Sequence, residues 1–136
     1  LEYLLLGNYL VCDEELEVIS EHCLKLRDLR MHYTYGFSLA ALINVLLKCP
    51  IQKLSIRYDH KIDSGLAAVR EICQSCRILT HLYIYYDYKE YHEMMPVKEK
   101  EVPLYESAAC EASAGRTSIF FNTDYLPKLP FYWNLQ

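Results

Sequence analysis

The sequence predicts an α/β fold assembled from a repeating strand–loop–helix unit. The first observation is the spacing L-x-x-L-x-L in the opening decapeptide LEYLLLGNYL, which returns three more times along the chain. The second is that a helical pattern of apolar residues follows each of the first three blocks, and the third is a cysteine shortly before each new block. A period of this length is typical of folds in which similar units stack on one another.

The predicted strands coincide with the apolar blocks. Their first members lie 25, 25 and 28 residues apart, so the four blocks share one register. The third apolar position of each block follows the second by two residues, which places both side chains on the same face of a strand. We expect that face to lie in the core. The triplets are Leu1, Leu4 and Leu6; Leu26, Leu29 and Met31; Ile51, Leu54 and Ile56; and Leu79, Leu82 and Ile84.

The predicted helices each start after a residue that can cap a helix N-terminus. Asp13 precedes EELEVISEH, Ser38 precedes LAALINVLLK, and Asp63 or Ser64 precedes GLAAVREICQS. A side-chain oxygen at this position accepts a hydrogen bond from an N–H group of the first helical turn. The unit therefore reads as strand, loop, helix and return.

The cysteines Cys23, Cys49 and Cys76 complete the pattern, because each stands just before a predicted strand. With them, residues 1–88 resemble the cysteine-containing leucine-rich repeats of F-box/LRR proteins. The resemblance implies a right-handed β-α superhelix of about four repeats, with strands on the concave side and helices on the convex side. It also implies a role in recruiting protein substrates to a cullin-RING ubiquitin ligase. The chain opens inside a repeat, so an F-box that binds the ligase adaptor is expected upstream of Leu1.

Residues 89–136 are predicted to form a degenerate capping repeat and a C-terminal tail. YESAACEASAG has the small-residue content of a short helix closed by Gly115, and TSIFFN has the β-branched and aromatic content of a strand. The final segment DYLPKLPFYWNLQ reads as an extended tail, because two prolines interrupt it.

Composition excludes several classes of protein. With 136 residues and 52% hydrophobic content the chain can form one domain with a sizeable core. A net charge of −4 argues against a general nucleic-acid-binding protein. No apolar run reaches the roughly 18–20 residues of a membrane helix, and the opening segment lacks the features of a signal peptide. The six cysteines fit a reducing compartment, so a cytoplasmic or nuclear location is expected.

No motif in the sequence predicts catalysis or a cofactor. The CQSC segment from Cys73 to Cys76 has the spacing of half a zinc site, but no second pair completes it. Cys76 also belongs to the repeat itself. Glu21–Cys23 are adjacent and point in different directions, and the acidic run Asp13–Glu15 suits the first turn of a helix. We therefore predict a non-enzyme without metal, and a metal or catalytic role for Cys73 and Cys76 is a distant alternative.

The most informative side chains are those that alternate with the core residues of the strands. They are predicted to form three ladders across the concave face, and the strand-to-helix loops add further aromatic residues at Tyr33, Tyr35, Phe37, Tyr58, Tyr86 and Tyr88. The ladders are Tyr3, Asp28, Lys53 and His81; Leu5, Arg30, Ser55 and Tyr83; and Gly7, His32, Arg57 and Tyr85.

We predict that this face binds a protein. Arg30, Lys53 and Arg57 give it a basic character within an acidic chain, and tyrosine and arginine often dominate binding energy. The simpler interpretation is that tyrosine suits strands and that Asp28 pairs with Lys53 across the ladder. The expected partner is an acidic or aromatic-rich protein segment, with no binding to nucleic acid or membrane. The alternative function is an LRR scaffold without a link to ubiquitin.

Overall fold

A five-stranded parallel sheet forms the framework of the protein, with its strands in sequence order and a helix preceding each strand after the first. The computed structural model describes residues 1–7, 11–32, 36–57, 66–86 and 102–123. The strands are β1 (Tyr3–Gly7), β2 (Asp28–His32), β3 (Lys53–Arg57), β4 (His81–Tyr86) and β5 (Ser118–Thr123). The helices are α1 (Asp13–His22), α2 (Leu39–Lys48), α3 (Leu66–Ser75) and α4 (Val102–Ala112).

The strand register follows the predicted leucine spacing. Leu29 pairs with Leu4 on one side and Leu54 on the other, and Leu82 continues the row. Leu29, Leu54 and Leu82 are all fully buried, as predicted. Successive helices contact one another, so all four pack on the same face of the sheet as this row. Sequential strand order with helices on one face is compatible with a solenoid.

The same backbone contact joins each unit to the next. The carbonyl of the residue just before a strand accepts N–H groups from the start of the following strand, at distances of 2.7–3.1 Å. The first three of these contacts recur at the 25- and 28-residue steps of the leucine blocks, and the last joins β4 to β5 over a longer segment. Glu2 O accepts from Arg27 and Asp28, Arg27 O from Gln52 and Lys53, Gln52 O from Thr80 and His81, and Thr80 O from Ser118.

The two described helix starts differ from each other. Ser38 caps α2 as predicted, since its Oγ accepts a hydrogen bond from Ala41 N at 3.1 Å. The predicted cap at Asp13 is wrong by one residue, because Cys12 precedes α1 and makes no side-chain cap. Asp13 instead accepts hydrogen bonds from Ser38 N at 2.7 Å and Ser38 Oγ at 2.8 Å, which ties the start of α1 to that of α2. The predicted caps Asp63 and Ser64 lie outside the described residues.

The repeated cysteines end the helices. Cys23, Cys49 and Cys76 each donate a backbone hydrogen bond to the carbonyl four residues earlier, at 2.8–3.3 Å. The Cys76 thiol also donates to the carbonyl of Ile51, one unit earlier, at 3.0 Å. Cys49 and Cys76 are buried, so a small apolar side chain with a weak donor suits this position.

The predicted capping segment adds one more unit to the sheet. Its helix begins at Val102, earlier than the predicted segment, and β5 pairs in parallel with β4. The predicted closure near Gly115 is confirmed, since Gly115 N bonds to Cys110 O at 2.8 Å and Gly115 has a φ of 83°. The residue before it, Ala114, also has a positive φ of 53°, as in a Schellman helix ending.

Arg116 donates hydrogen bonds to carbonyls at the C-terminal end of α3. It occupies the position that Leu79 holds in the preceding block, three residues before the buried strand residue. Its Nε donates to Leu79 O at 3.1 Å, and its Nη2 donates to Cys76 O at 2.9 Å and Cys73 O at 3.3 Å. Carbonyls at a helix C-terminus lack intrahelical partners, and the guanidinium supplies a charged donor to those of Cys73 and Cys76. Leu79 O also accepts from the Thr117 hydroxyl, and Cys76 O also accepts from Leu79 N at 3.4 Å.

No helix in the described part of the chain combines the length and the apolar character required to cross a bilayer.

Candidate partner-binding face

The sheet face opposite the helices, here called the outer face, carries the predicted ladders. Tyr3 pairs with Asp28, which pairs with Lys53, which pairs with His81. In the second ladder, Arg30 lies between Leu5 and Ser55, and Ser55 pairs with Tyr83. The fifth strand extends these two ladders by Ser118 and Phe120.

The third ladder is described only through its backbone. Gly7 pairs with His32, and Arg57 pairs with Tyr85, as the predicted register requires. The side chains of His32, Arg57 and Tyr85 fall outside the described part of the structure.

Arg30 differs most from the sequence expectation, because its residue is only 4% exposed. Its Nε lies 3.2 Å from Asp28 Oδ1 and its Nη2 lies 3.1 Å from Asp28 Oδ2. The Tyr3 ring centroid lies 5.1 Å from the guanidinium carbon, within the range of a cation–π contact. Asp28 thus forms an ion pair with Arg30 two residues along its own strand, rather than with Lys53 across the ladder.

One nitrogen of this buried guanidinium has no partner among the described residues. Arg30 Nη1 is inaccessible to solvent and donates no hydrogen bond to any described group. A buried charged donor without an acceptor costs more than the roughly 1–3 kcal/mol of a neutral one. An acceptor brought to Nη1 would therefore form a hydrogen bond that no described residue supplies.

An aromatic stack lies beside Arg30 on the outer face. The rings of Tyr83 and Phe120 are 5.1 Å apart at an interplanar angle of 21°, and His81 lies 6.0 Å from Tyr83 and 5.9 Å from Phe120. Phe120 remains 40% exposed, and the other two rings are half-buried. These separations fall in the range of favourable aromatic pairs.

Phe120 is a site residue that the sequence reasoning did not assign. The segment TSIFFN predicts a strand, but the three predicted ladders extend only to β4. Extending the alternation by one strand from Tyr83 would have placed Phe120 on the outer face, because the β4–β5 register pairs these two residues.

The stack is uncharged near neutral pH. Burial, followed by the nearby Lys53 ammonium, lowers the pKa of His81 below its usual value of 6.5. The His81 Nδ1 atom lies 2.8 Å from Thr80 Oγ1, which helps to hold the ring in place. Burial is also the main cause of the raised pKa of Tyr83, against a lowering effect of Arg30. Lys53, only half-buried, therefore supplies the accessible positive charge beside these rings.

The cysteines have the properties of packing residues. Burial raises the pKa of Cys73 to about 11 and also raises the pKa of Cys76, so both are protonated thiols at neutral pH. A thiolate is the reactive and metal-binding form of cysteine. In the described ranges, no group of three or more histidine, cysteine or carboxylate side chains is arranged to hold a metal ion.

The predicted loop aromatics are only partly described. Phe37 is 4% exposed and packs in the core, so its expected place on the binding surface is wrong. A ring that follows a strand can turn back under the next helix, which the sequence spacing does not reveal. Tyr86 ends β4, and its side chain is not described. Tyr33, Tyr35, Tyr58 and Tyr88 lie outside the described residues.

Neither the scan against protein-family models nor the search of curated proteins finds a match for this chain.

Proposed function

We propose that the chain is a leucine-rich-repeat solenoid that serves as the substrate-recognition part of an F-box type ubiquitin ligase. Three features support a repeat protein: the four leucine blocks in one register, the cysteine that ends each of three units, and the backbone contact that recurs between units. The ubiquitin link rests on the resemblance of residues 1–88 to F-box/LRR proteins. In this proposal the residues after 88 cap the array.

The aromatic stack on the outer face is the observation that favours binding to a protein. Exposed aromatic surface is costly in water, and Phe120 presents it next to Tyr83, on a sheet face that no described helix covers. Aromatic rings with a polar handle are among the side chains that most often anchor protein interfaces. The stack is therefore the proposed centre of the interface.

The charges around the stack favour an acidic or aromatic-rich partner segment. Lys53 lies beside His81 at the surface, and Arg30 Nη1 has no acceptor in the part of the chain that the structure describes. A partner carboxylate would be attracted to Lys53 during association, which raises the association rate. A carboxylate that reached Arg30 Nη1 would form a charge-assisted hydrogen bond. Nucleic acid is disfavoured, because the chain carries 14 basic and 18 acidic residues. The domain itself performs no chemistry and takes no cofactor in this proposal.

The test starts from the full-length protein, purified from cells together with its partners. We expect the adaptor and cullin subunits of a cullin-RING ligase among them, bound through a segment other than the outer face. We also expect a substrate that is lost from the variant Lys53→Glu combined with Tyr83→Ala, while adaptor and cullin remain. A matched control is Arg70→Glu, which reverses an exposed charge on α3, away from the outer face.

The outcomes separate the two candidate functions. If no ligase subunit co-purifies but a protein partner is lost from the double variant, the chain is an LRR scaffold without a ubiquitin link. If the double variant keeps every partner, the outer face is not the interface. Arg30→Glu is unsuitable as a probe, because it would place two carboxylates together in a buried pair and destabilise the fold.

A further inference from the structure

A second surface, separate from the outer face, lies where the helices end. An open groove of about 570 Å³ is lined by residues that follow or end α1, α2 and α3. Its volume falls within the roughly 300–1,000 Å³ of ligand pockets. This groove is called the helix-end groove below, and it does not include any residue of the aromatic stack.

The helix-end groove carries exposed apolar side chains from three successive units. Leu24 is 61% exposed, Leu47 is 65% exposed and Ile78 is 40% exposed. Single exposed leucines are ordinary on protein surfaces, but three around one groove form a patch of the kind that marks interaction sites. Pro50 adds a rigid apolar surface between them. Together they line a trough that can receive the apolar face of a partner.

The charges of the groove identify the chemistry of that partner. Lys48 and Arg77 line it, and no carboxylate does. Neither cation forms an ion pair with a described residue, although the chain as a whole is acidic. Lys48 complements the C-terminal dipole of α2, but Arg77 lies two residues beyond α3 and has no such role. Basic side chains beside leucines match a partner that is acidic and apolar.

We propose that the helix-end groove binds an acidic amphipathic helix of another protein. Leucine-type residues at positions i, i+3 or i+4, and i+7 would enter the groove, and flanking glutamates or aspartates would pair with Lys48 and Arg77. This is the helix-in-groove mode of recognition, with charge setting the orientation. A concave trough with two cations suits a helix better than a lipid surface, which would require a protruding and more basic patch.

The proposal is tested by selection from a library of random 16-residue peptides on the full chain. Counter-selection on the variant Lys48→Glu with Arg77→Glu removes peptides that bind elsewhere. We expect the surviving peptides to be acidic, with leucine-type residues at helical spacing. A library that yields no groove-dependent peptide, or yields basic peptides, would overturn the proposal.

Affinity measurements on one selected peptide then locate its site, using fluorescence polarisation. We expect Arg77→Glu to weaken binding by at least about tenfold, and the matched Arg70→Glu to change it by less than about twofold. Leu47→Ser should weaken binding about tenfold, whereas Leu104→Ser, at another exposed leucine, should not. Melting temperatures of all variants check that each is folded.

Further arms distinguish other occupants of the groove. Binding to phosphatidylserine-containing vesicles that Arg77→Glu abolishes would replace the proposal with a membrane surface. Self-association that the same variant abolishes would replace it with a contact between copies. Tyr83→Ala should leave peptide affinity unchanged, so failure here is distinct from failure of the outer face as an interface.

Discussion

At the scale of single residues, burial rather than residue type decides what each side chain does. Arg30 and Leu54 both lie on strands where the sequence placed them, yet of these two only Leu54 was predicted together with its environment. Its side chain is fully buried between the Leu29 and Leu82 rungs. The role of Arg30 depends on a near neighbour, Asp28, and on a distant one, Tyr3.

Leu54→Ala should destabilise the protein by about 2–5 kcal/mol, because it removes buried methyl groups and leaves a cavity. The denaturant midpoint of unfolding measures this loss. Leu47→Ala is the matched control, since Leu47 is 65% exposed and should change the midpoint little. Equal midpoints for the two variants would contradict the assigned strand register.

Arg116→Gln should lower the free energy of unfolding by about 1–3 kcal/mol, because three partly buried carbonyl groups lose a charged donor and Cys73 O loses the one side-chain donor described for it. Arg77→Gln makes the same chemical change at an exposed arginine near the same helix end and should be close to neutral. Urea denaturation of both variants provides the comparison. Equal losses of unfolding free energy in the two variants would show that the hydrogen bonds of Arg116 do not stabilise the C-terminal end of α3.

The Cys73 thiol should make stability fall as pH rises. Its pKa is about 11 in the folded protein and 9.0 in the unfolded chain, so folding favours the protonated form. The contribution is complete below pH 9 and is lost between pH 9 and 11. Cys73→Ala should therefore show a shallower decline of the urea midpoint over this range than the parent chain.

At the scale of elements, neighbouring units are joined by side chains that also start helices. Ser38 Oγ accepts from Ala41 N and donates to Asp13, so one hydroxyl caps α2 and links it to α1. The sequence identified both residues as helix-start signals. It did not reveal their contact, because a spacing of 25 residues becomes proximity only when two units stack.

The Asp13–Ser38 link can be measured with a double-mutant cycle. Ser38→Ala alone should cost about 0.5–2 kcal/mol as a lost helix cap. Asp13→Ala should cost less in the Ser38→Ala background than in the parent, with a coupling of at least about 0.5 kcal/mol. Glu17→Ala, on the exposed side of α1, should be additive with Ser38→Ala. If Asp13→Ala is also additive with Ser38→Ala, the two units are not coupled through this contact.

At the scale of the whole molecule, the periodic features were predictable and the irregular ones were not. The buried row through Leu29, Leu54 and Leu82 followed from the leucine spacing, because strand alternation and a common register act locally and repeat. The burial of Arg30 did not, since it depends on how its side chain folds onto Asp28 and beneath Tyr3. Phe37 likewise lies in the core, although the sequence predicted it for the binding surface.

The two candidate surfaces also differ in how far the sequence predicts them. The outer face could be derived up to β4 from alternation, and Phe120 needed the one additional strand that the structure places beside β4. The helix-end groove had no sequence signal, because Leu24, Leu47 and Ile78 stand at different offsets from the repeated cysteines. Only stacking of the units brings them to one groove.

The central proposal is that the outer face binds a protein segment through its aromatic stack. The most direct measurement is the dissociation constant of the co-purified substrate for the parent chain and for Tyr83→Ala, with Tyr83→Phe as the variant that keeps the ring. We predict that Tyr83→Ala weakens binding by more than about 1 kcal/mol and that Tyr83→Phe largely retains it. Unchanged affinity of a folded Tyr83→Ala protein would contradict the proposal and direct attention to the aromatic segment from Tyr125 to Trp133.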